Sequence, residues 1–309
     1  MSSLSLVPQP SRRSSRRGGS GLAIRERRAG WGYVAPIATV IGVFFLAPII
    51  MVVYMSGNDW RLLGGNRGWN FPANYHDVLA NRMFWPAVVF TVKYTVIATV
   101  LLLVIGLGLA LLIQESSRWK GFLRTAFLLP AATGLASASL LFYALYSPQV
   151  GPFKGFLSRI GIASILGSPN GALWATVFLI VWRFAGFYML LMLVGLQAIS
   201  GDVYEAARID GASTRQIFQR ITLPLLKPSI TLSLIMCVTG SLLAFDQFYI
   251  LTKGGPDGST MTVVQLVYNL AFESRRSLGL AAALSVIILI VLVIVNSAQL
   301  RVLRGGKDD

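Results

Sequence analysis

Cysteine is almost missing from this chain. Cys237 stands alone, so no internal disulfide can form and no cysteine cluster can hold a metal. Histidine is as scarce, and His76 beside Asp77 reads as a solvated pair, not a ligand set. Charged residues make up only 13% of the chain, against about a quarter in ordinary soluble proteins. No lysine stands in a G-x-x-x-x-G-K-[ST] run, which excludes the usual phosphate cradle. Nor is there a Ser-His-Asp set or a carboxylate pair outside the apolar runs to suggest hydrolysis. Apolar residues occupy the space instead: they are 55% of the 309 residues, and mean hydropathy is +0.67. That balance predicts an all-α membrane protein with one membrane domain and no soluble catalytic domain.

Six apolar runs are long enough to cross the roughly 30 Å hydrocarbon core as helices at about 1.5 Å per residue. They cover 34–55, 87–113, 122–146, 172–196, 230–251 and 278–299. Pro130 should kink the third. Residues 1–30, Arg-rich among Ser and Gly, read as a disordered basic tail, with the membrane domain over 31–300 and a short tail over 301–309. The polar stretch from Ser56 to Pro86 reads as a loop that ends in a short amphipathic helix. Of the 27 basic residues, seventeen fall in both tails and two connections, eight in the opposite loops and two inside spans. The positive-inside rule then puts both termini in the cytoplasm, and attraction to anionic lipid explains the basic tail without nucleic acid.

Lys93, Arg183 and Asp246 fall inside apolar runs, where an unpaired charge costs on the order of 2.5–3.5 kcal/mol. One reading has them line a polar cavity, with Trp182, Gln247 and Tyr249 adding aromatic and hydrogen-bonding surface. The other makes Arg183 and Asp246 an ion pair between helices and lets Lys93 snorkel.

Between the fourth and fifth runs lies a long polar segment, 200–228, whose grammar is helix, tight turn, helix, stop. Asp202 with Glu205 forms one capping-box pattern and Ser213 with Gln216 a second. Gly211 after Asp210 suits a left-handed turn, and Pro224 and Pro228 limit the second helix. Glu205, Arg208 and Asp210 are spaced to pair at the rim. The run EAARIDGASTRQIFQRITLPLLKP resembles the EAA loop of permease subunits of bacterial ABC importers, its carbohydrate and glycerol-phosphate branch in particular. Glu205, Ala206, Ala207, Asp210, Gly211, Ala212, Ile221, Leu223 and Pro224 carry the match. A second point of resemblance is LTKGGPDGST, similar to the external loop after the fifth helix in that branch, with Gly254, Gly255 and Pro256 facing a binding protein.

The resemblance implies six membrane helices in a bacterial plasma membrane and a cytoplasmic coupling helix that fits a cleft of an ATPase subunit. It further implies a second permease subunit, two ATPases that bind ATP and magnesium in place of this chain, and an extracellular solute-binding protein. The cargo would be a sugar or polyol derivative, with glycerol phosphate, phosphate, amino acid or peptide as alternatives. A stand-alone secondary transporter would predict inverted repeats, and none is evident between the first and last three runs. A non-transporting membrane scaffold leaves the elbow and the GGP loop unexplained.

Overall fold

The computed structural model describes residues 34–305 except 116, 150, 153–158 and 160–163. The expected basic tail and the last residues of the C-terminal tail lie outside the described residues. The chain divides into two units, 1–51 and 52–309. The first carries most of α1 (Val34–Ser56), an apolar helix. The second begins with an antiparallel hairpin of β1 (Asn58–Arg61) and β2 (Gly65–Trp69). Helices follow: α2 (Ala73–Leu79), α3 (Phe84–Ile113), α4 (Arg118–Ala132), α5 (Leu135–Tyr146) and α6 (Pro169–Gln197). Then come α7 (Gly201–Ile209), α8 (Thr214–Leu225), α9 (Lys227–Leu242), α10 (Asp246–Leu251), α11 (Val263–Tyr268) and α12 (Leu278–Gly305).

Four helices, α1, α3, α6 and α12, are long and apolar enough to cross a bilayer; bent pairs α4–α5 and α8–α9 raise the number to as many as six. This is an all-α, multi-span membrane protein with one small hairpin. Two expected runs are not continuous. The third was expected to kink at Pro130, but Pro130 lies within α4, and the chain turns by 92° after it, where Thr133 and Gly134 are extended. Both the amide and Oγ1 of Thr133 donate to the Pro130 carbonyl, at 3.1 and 2.7 Å, which closes the helix. The fifth run was expected to reach Leu251, but α9 stops at Leu242 and α10 starts at Asp246. There the hydroxyl of Thr262 donates to the Ala244 carbonyl at 2.7 Å and accepts from the Gln265 amide, so it both satisfies the break and caps α11.

The stretch 56–86 is more ordered than a loop. The buried Asn74 amide donates to the carbonyls of Ser56 and Asn58 at 2.9 and 2.8 Å and seats α2 under the hairpin. Between α3 and α4, Arg124 donates to the Ile113 carbonyl at 2.8 Å, and Lys120, 2.6 Å from Glu115, holds that exposed carboxyl below its usual range.

Hydrocarbon removes the hydrophobic drive between helices, so close packing must hold them. On α3 the buried positions include Ala87, Thr91, Tyr94, Ala98, Leu102 and Gly106, every three or four residues. The exposed positions include five valines, Val89, Val92, Val96, Val100 and Val104, beside Trp85, Lys93 and Leu112. Glycine sets the closest approaches. A Cβ at Gly106 would stand 3.0 Å from Cβ of Tyr188, and one at Gly186 would overlap the backbone carbonyl of Phe127. At Gly195 the obstacles are side-chain atoms of Ser229 and Leu226, with no backbone among them. Gly186→Ala is therefore expected to cost about 1–3 kcal/mol through forced separation of α4 and α6, and Gly195→Ala less. Thermal unfolding midpoints of the purified protein in detergent would show that order, and equal midpoints would refute it.

Candidate functional site

A cavity of about 460 Å³ opens where the two helix breaks meet α3 and α6. The α4–α5 break gives it Ala131 and Leu135, and the α9–α10 break gives Leu243, Ala244 and Phe245. Its polar wall is Tyr94, Tyr188, Cys237, Ser241, Asp246 and Gln247. Gln247 is buried; its Nε2 donates to the Tyr94 hydroxyl at 3.3 Å, while its Oε1 is buried with no hydrogen-bond partner. Such a group normally costs ~1–3 kcal/mol, and this oxygen is enclosed within the wall and does not face the open cavity.

Three of the six residues expected along a polar path, Arg183, Asp246 and Gln247, come together here. Arg183 and Asp246 do not form the ion pair that the other reading expected. Among the described residues the ion pairs are Arg61–Asp59, His76–Asp77 and Lys120–Glu115. Arg183 instead donates from Nε and Nη2 to the Thr133 carbonyl, at 3.1 and 2.7 Å, and lies 4.3 Å over the Phe184 ring. Asp246 is not within an apolar helix at all, since it opens α10, where an acidic residue suits the free amides. Trp182 packs on Phe142 in the core with ring centroids 5.2 Å apart. Tyr249 stacks on Phe245 at 5.1 Å, one helical turn from the cavity wall. Lys93 is exposed and forms no part of that wall.

Sequence reading missed Tyr94, Tyr188, Cys237 and Ser241. A usable signal was there: Ser233, Cys237 and Ser241 recur every fourth residue in an apolar run and are all buried.

The elbow at 200–228 has its own geometry. Ser200, not Asp202, caps α7, with its hydroxyl accepting from the Asp202 amide at 3.3 Å, so the expected Asp202–Glu205 box is absent. The second box is present. Ser213 N donates to Gln216 Oε1 at 2.7 Å, and Gln216 N to Ser213 Oγ at 3.4 Å. Gly211 takes φ +75°, and the Ala212 amide returns to the Ala207 carbonyl at 3.0 Å. Tyr204 and Thr222 hydroxyls lie 3.3 Å apart and tie the two arms. No ion pair forms at the rim among the described residues, so Glu205, Arg208 and Asp210 stay open. Ala207 is buried, Ala206 is exposed, and Ile209 is 85% exposed, an apolar tip left uncovered among the described residues. A groove of about 270 Å³ runs beside it past Asp210, Gly211, Ala212, Gln216 and Ile221. At the GGP loop, Gly254 takes φ +81°, and Thr260 Oγ1 lies 2.6 Å from the Gly255 carbonyl and 2.8 Å from Thr252 Oγ1.

A multi-span helical bundle with a partly polar cavity at two helix breaks fits a membrane permease, and the comparisons with known proteins name the family. A family model described as "Binding-protein-dependent transport system inner membrane component" matches residues 102–304, and the chain belongs to that family. It is a permease subunit of an ABC importer and not an enzyme. The trehalose/maltose transport system permease protein MalF of Thermococcus litoralis is 33% identical over 291 residues, covering 94% of this chain and 98% of the relative. The multiple sugar-binding transport system permease protein MsmF of Streptococcus mutans is 35% identical, covering 88% and 94%. The lactose transport system permease protein LacF of Rhizobium radiobacter is 33% identical, covering 90% and 95%. The fold is shared with a chain of a bacterial alginate ABC transporter solved with an alginate pentasaccharide-bound periplasmic protein. The TM-score is 0.78 at 20% identity, over 91% of this chain and 95% of that one.

Removing the Ser213 cap should loosen the elbow without touching the cavity. Ser213→Ala costs about 1 kcal/mol, which predicts roughly fivefold faster amide exchange over residues 213–217 and no change in α6. Unchanged exchange at 213–217 would show that the cap holds nothing.

Proposed function

We propose that this chain forms half of the translocation path for a saccharide, paired with a second permease, two ATPases and an extracellular solute-binding protein. The observation that carries the cargo class is the cavity wall, where the amide of Gln247 lies among the hydroxyls of Tyr94, Tyr188 and Ser241. A neutral polyhydroxylated solute matches such a wall, because each hydroxyl both donates and accepts. The aromatic rings of Phe184, Phe187 and Phe245 supply apolar faces beside it. Relatives above 30% identity named for trehalose, maltose, lactose and multiple sugars support the same class.

In this reading the chain crosses the membrane six times, with α4–α5 as the broken third span and α9–α10 as the broken fifth, over a single permease domain from 31 to 300. Both termini and the elbow are cytoplasmic, in a bacterial plasma membrane. Glu205, Ala206, Ala207, Asp210, Gly211, Ala212, Ile221, Leu223 and Pro224 form the contact with an ATPase, and Ile209 is the apolar tip that this partner covers. Gly254, Gly255 and Pro256 face the binding protein. ATP and magnesium are held by the ATPases. Lys93, Trp182 and Tyr249 lie off the cavity wall and act, if at all, along the approach to it.

Two experiments test this. Gln247→Leu in the reconstituted importer should lower uptake of maltose, trehalose or lactose, whichever is carried, about five- to tenfold, the worth of one hydrogen bond. Co-purification with the ATPase should not change. Full uptake by this variant would remove Gln247 from the path. A cysteine placed at Ile209 in a Cys237→Ser background should react with an impermeant maleimide only from the cytoplasmic side and only without ATPase bound. Labelling from outside the cell would overturn the topology.

A further inference from the structure

The break between α4 and α5 leaves helix-end carbonyls that α4 itself cannot satisfy. Thr133 covers the carbonyl of Pro130. Those of Ala131 and Thr133 are served by a residue fifty positions on: Arg183 sends Nε and Nη2 to Thr133 O at 3.1 and 2.7 Å, and Nη2 to Ala131 O at 3.5 Å. Its charge lies at the negative end of a 15-residue helix, where a cation belongs. The Phe184 ring beneath the guanidinium holds it flat. No carboxylate approaches it within 4.0 Å among the described residues.

The same side chain is part of the cavity wall, and so are Ala131 and Leu135, one on each side of the break. The solute space therefore touches the break, both of its flanks and the group that pins it. Arg183 has five N–H donors, and a saccharide offers hydroxyl oxygens that accept as a peptide carbonyl does. A solute can shift a two-state element only through different affinities for its two states. Competition for the guanidinium supplies such a difference.

We propose that Arg183 is a positioning residue that pins the α4–α5 break, and that a saccharide in the cavity draws the guanidinium from Thr133 and so frees the break to change angle. The proposal rests on the saccharide reading for its ligand but not for its pin. Lysine cannot replace it fully, because one ammonium is a point charge without the fork that reaches two carbonyls.

Spin labels at Leu129 and Leu140, both exposed and on opposite sides of the break, report its angle in the purified importer with Cys237→Ser. In the parent the distance should be narrow without solute and should shift when loaded binding protein and maltose, trehalose or lactose are added. In Arg183→Gln it should be broad from the start and no longer respond. Uptake should fall about tenfold, as for loss of a charge-assisted bond, while ATP hydrolysis without binding protein rises. Arg183→Lys should restore assembly and give an intermediate distance, and it decides the matter if the Gln variant does not assemble. A parent-like distance and parent-like response in either variant overturn the pin. If the parent importer takes up no sugar of the panel, the cargo reading falls, while the solute-free comparison of parent and variant still tests the pin.

Discussion

Hydrocarbon offers a stopped helix nothing to bond its last carbonyls or first amides, and this constraint governs the fold. The bundle contains two such stops, and each is answered by a side chain from elsewhere in the sequence. Arg183 on α6 serves the end of α4, and Thr262 at the start of α11 serves the end of α9. Thr91 on α3 completes the set by accepting from the Val263 amide at 3.0 Å. The bonds cross between helices, so each break is held from outside its own helix pair. Both breaks open on one cavity, because irregular backbone is tolerated at membrane depth only where protein or a polar space surrounds it.

Close packing keeps that space bounded. α6 is the common wall, with α4 against Gly186, α3 against Tyr188 and α9 against Gly195. A side chain at Gly186 would meet backbone that cannot give way, and one at Gly195 would crowd the side chains of Ser229 and Leu226. Small and hydroxyl-bearing residues gather on the inward stripe of α3, where Ala87, Thr91, Ala98, Thr99 and Gly106 alternate with Phe90, Tyr94 and Leu102, while the exposed positions between Val89 and Val104 are mostly valine.

Much of this was legible in the sequence, and the remainder was hidden for physical reasons. Apolar runs marked the helices because hydrocarbon demands length and hydrophobicity, both one-dimensional quantities. Gly211 and the Ser213–Gln216 box were legible because turn and cap chemistry is local. Hydropathy could not show that α4 and α9 stop short, since Leu135 and Phe248 are as apolar beyond a break as before it. The stops depend on Arg183 and Thr262, partners 50 and 18 residues distant from the carbonyls they serve. Arg183 was legible as a costly charge, but its partner was misjudged. An opposite charge was the natural expectation, and two backbone carbonyls turn out to meet the same need. Tyr94, Tyr188 and Cys237 stayed hidden because rotation of one helix against another leaves no trace in composition.

The elbow and the cavity are joined by the same two helices, which limits how a push at one can reach the other. α6 carries Arg183 and Tyr188 on the cavity wall and ends at Gln197, four residues before α7 begins. α9 carries Cys237 and Ser241 on that wall and begins at Lys227, after the bend at the wholly buried Leu226. From Gln197 back to Tyr188 is about 14 Å of helix at 1.5 Å per residue, with no break between. In the proposed cycle an ATPase that grips Ile209 and the groove beside Gly211 pulls on both wall helices at once. α6 moves as a rod held by its glycine contacts, so Arg183 must move with it while Thr133 stays on α4's side of the break. The bond between them is then the point where a pull from the cytoplasm and a solute in the cavity act on one pair of atoms. Coupling needs no longer chain of contacts than that.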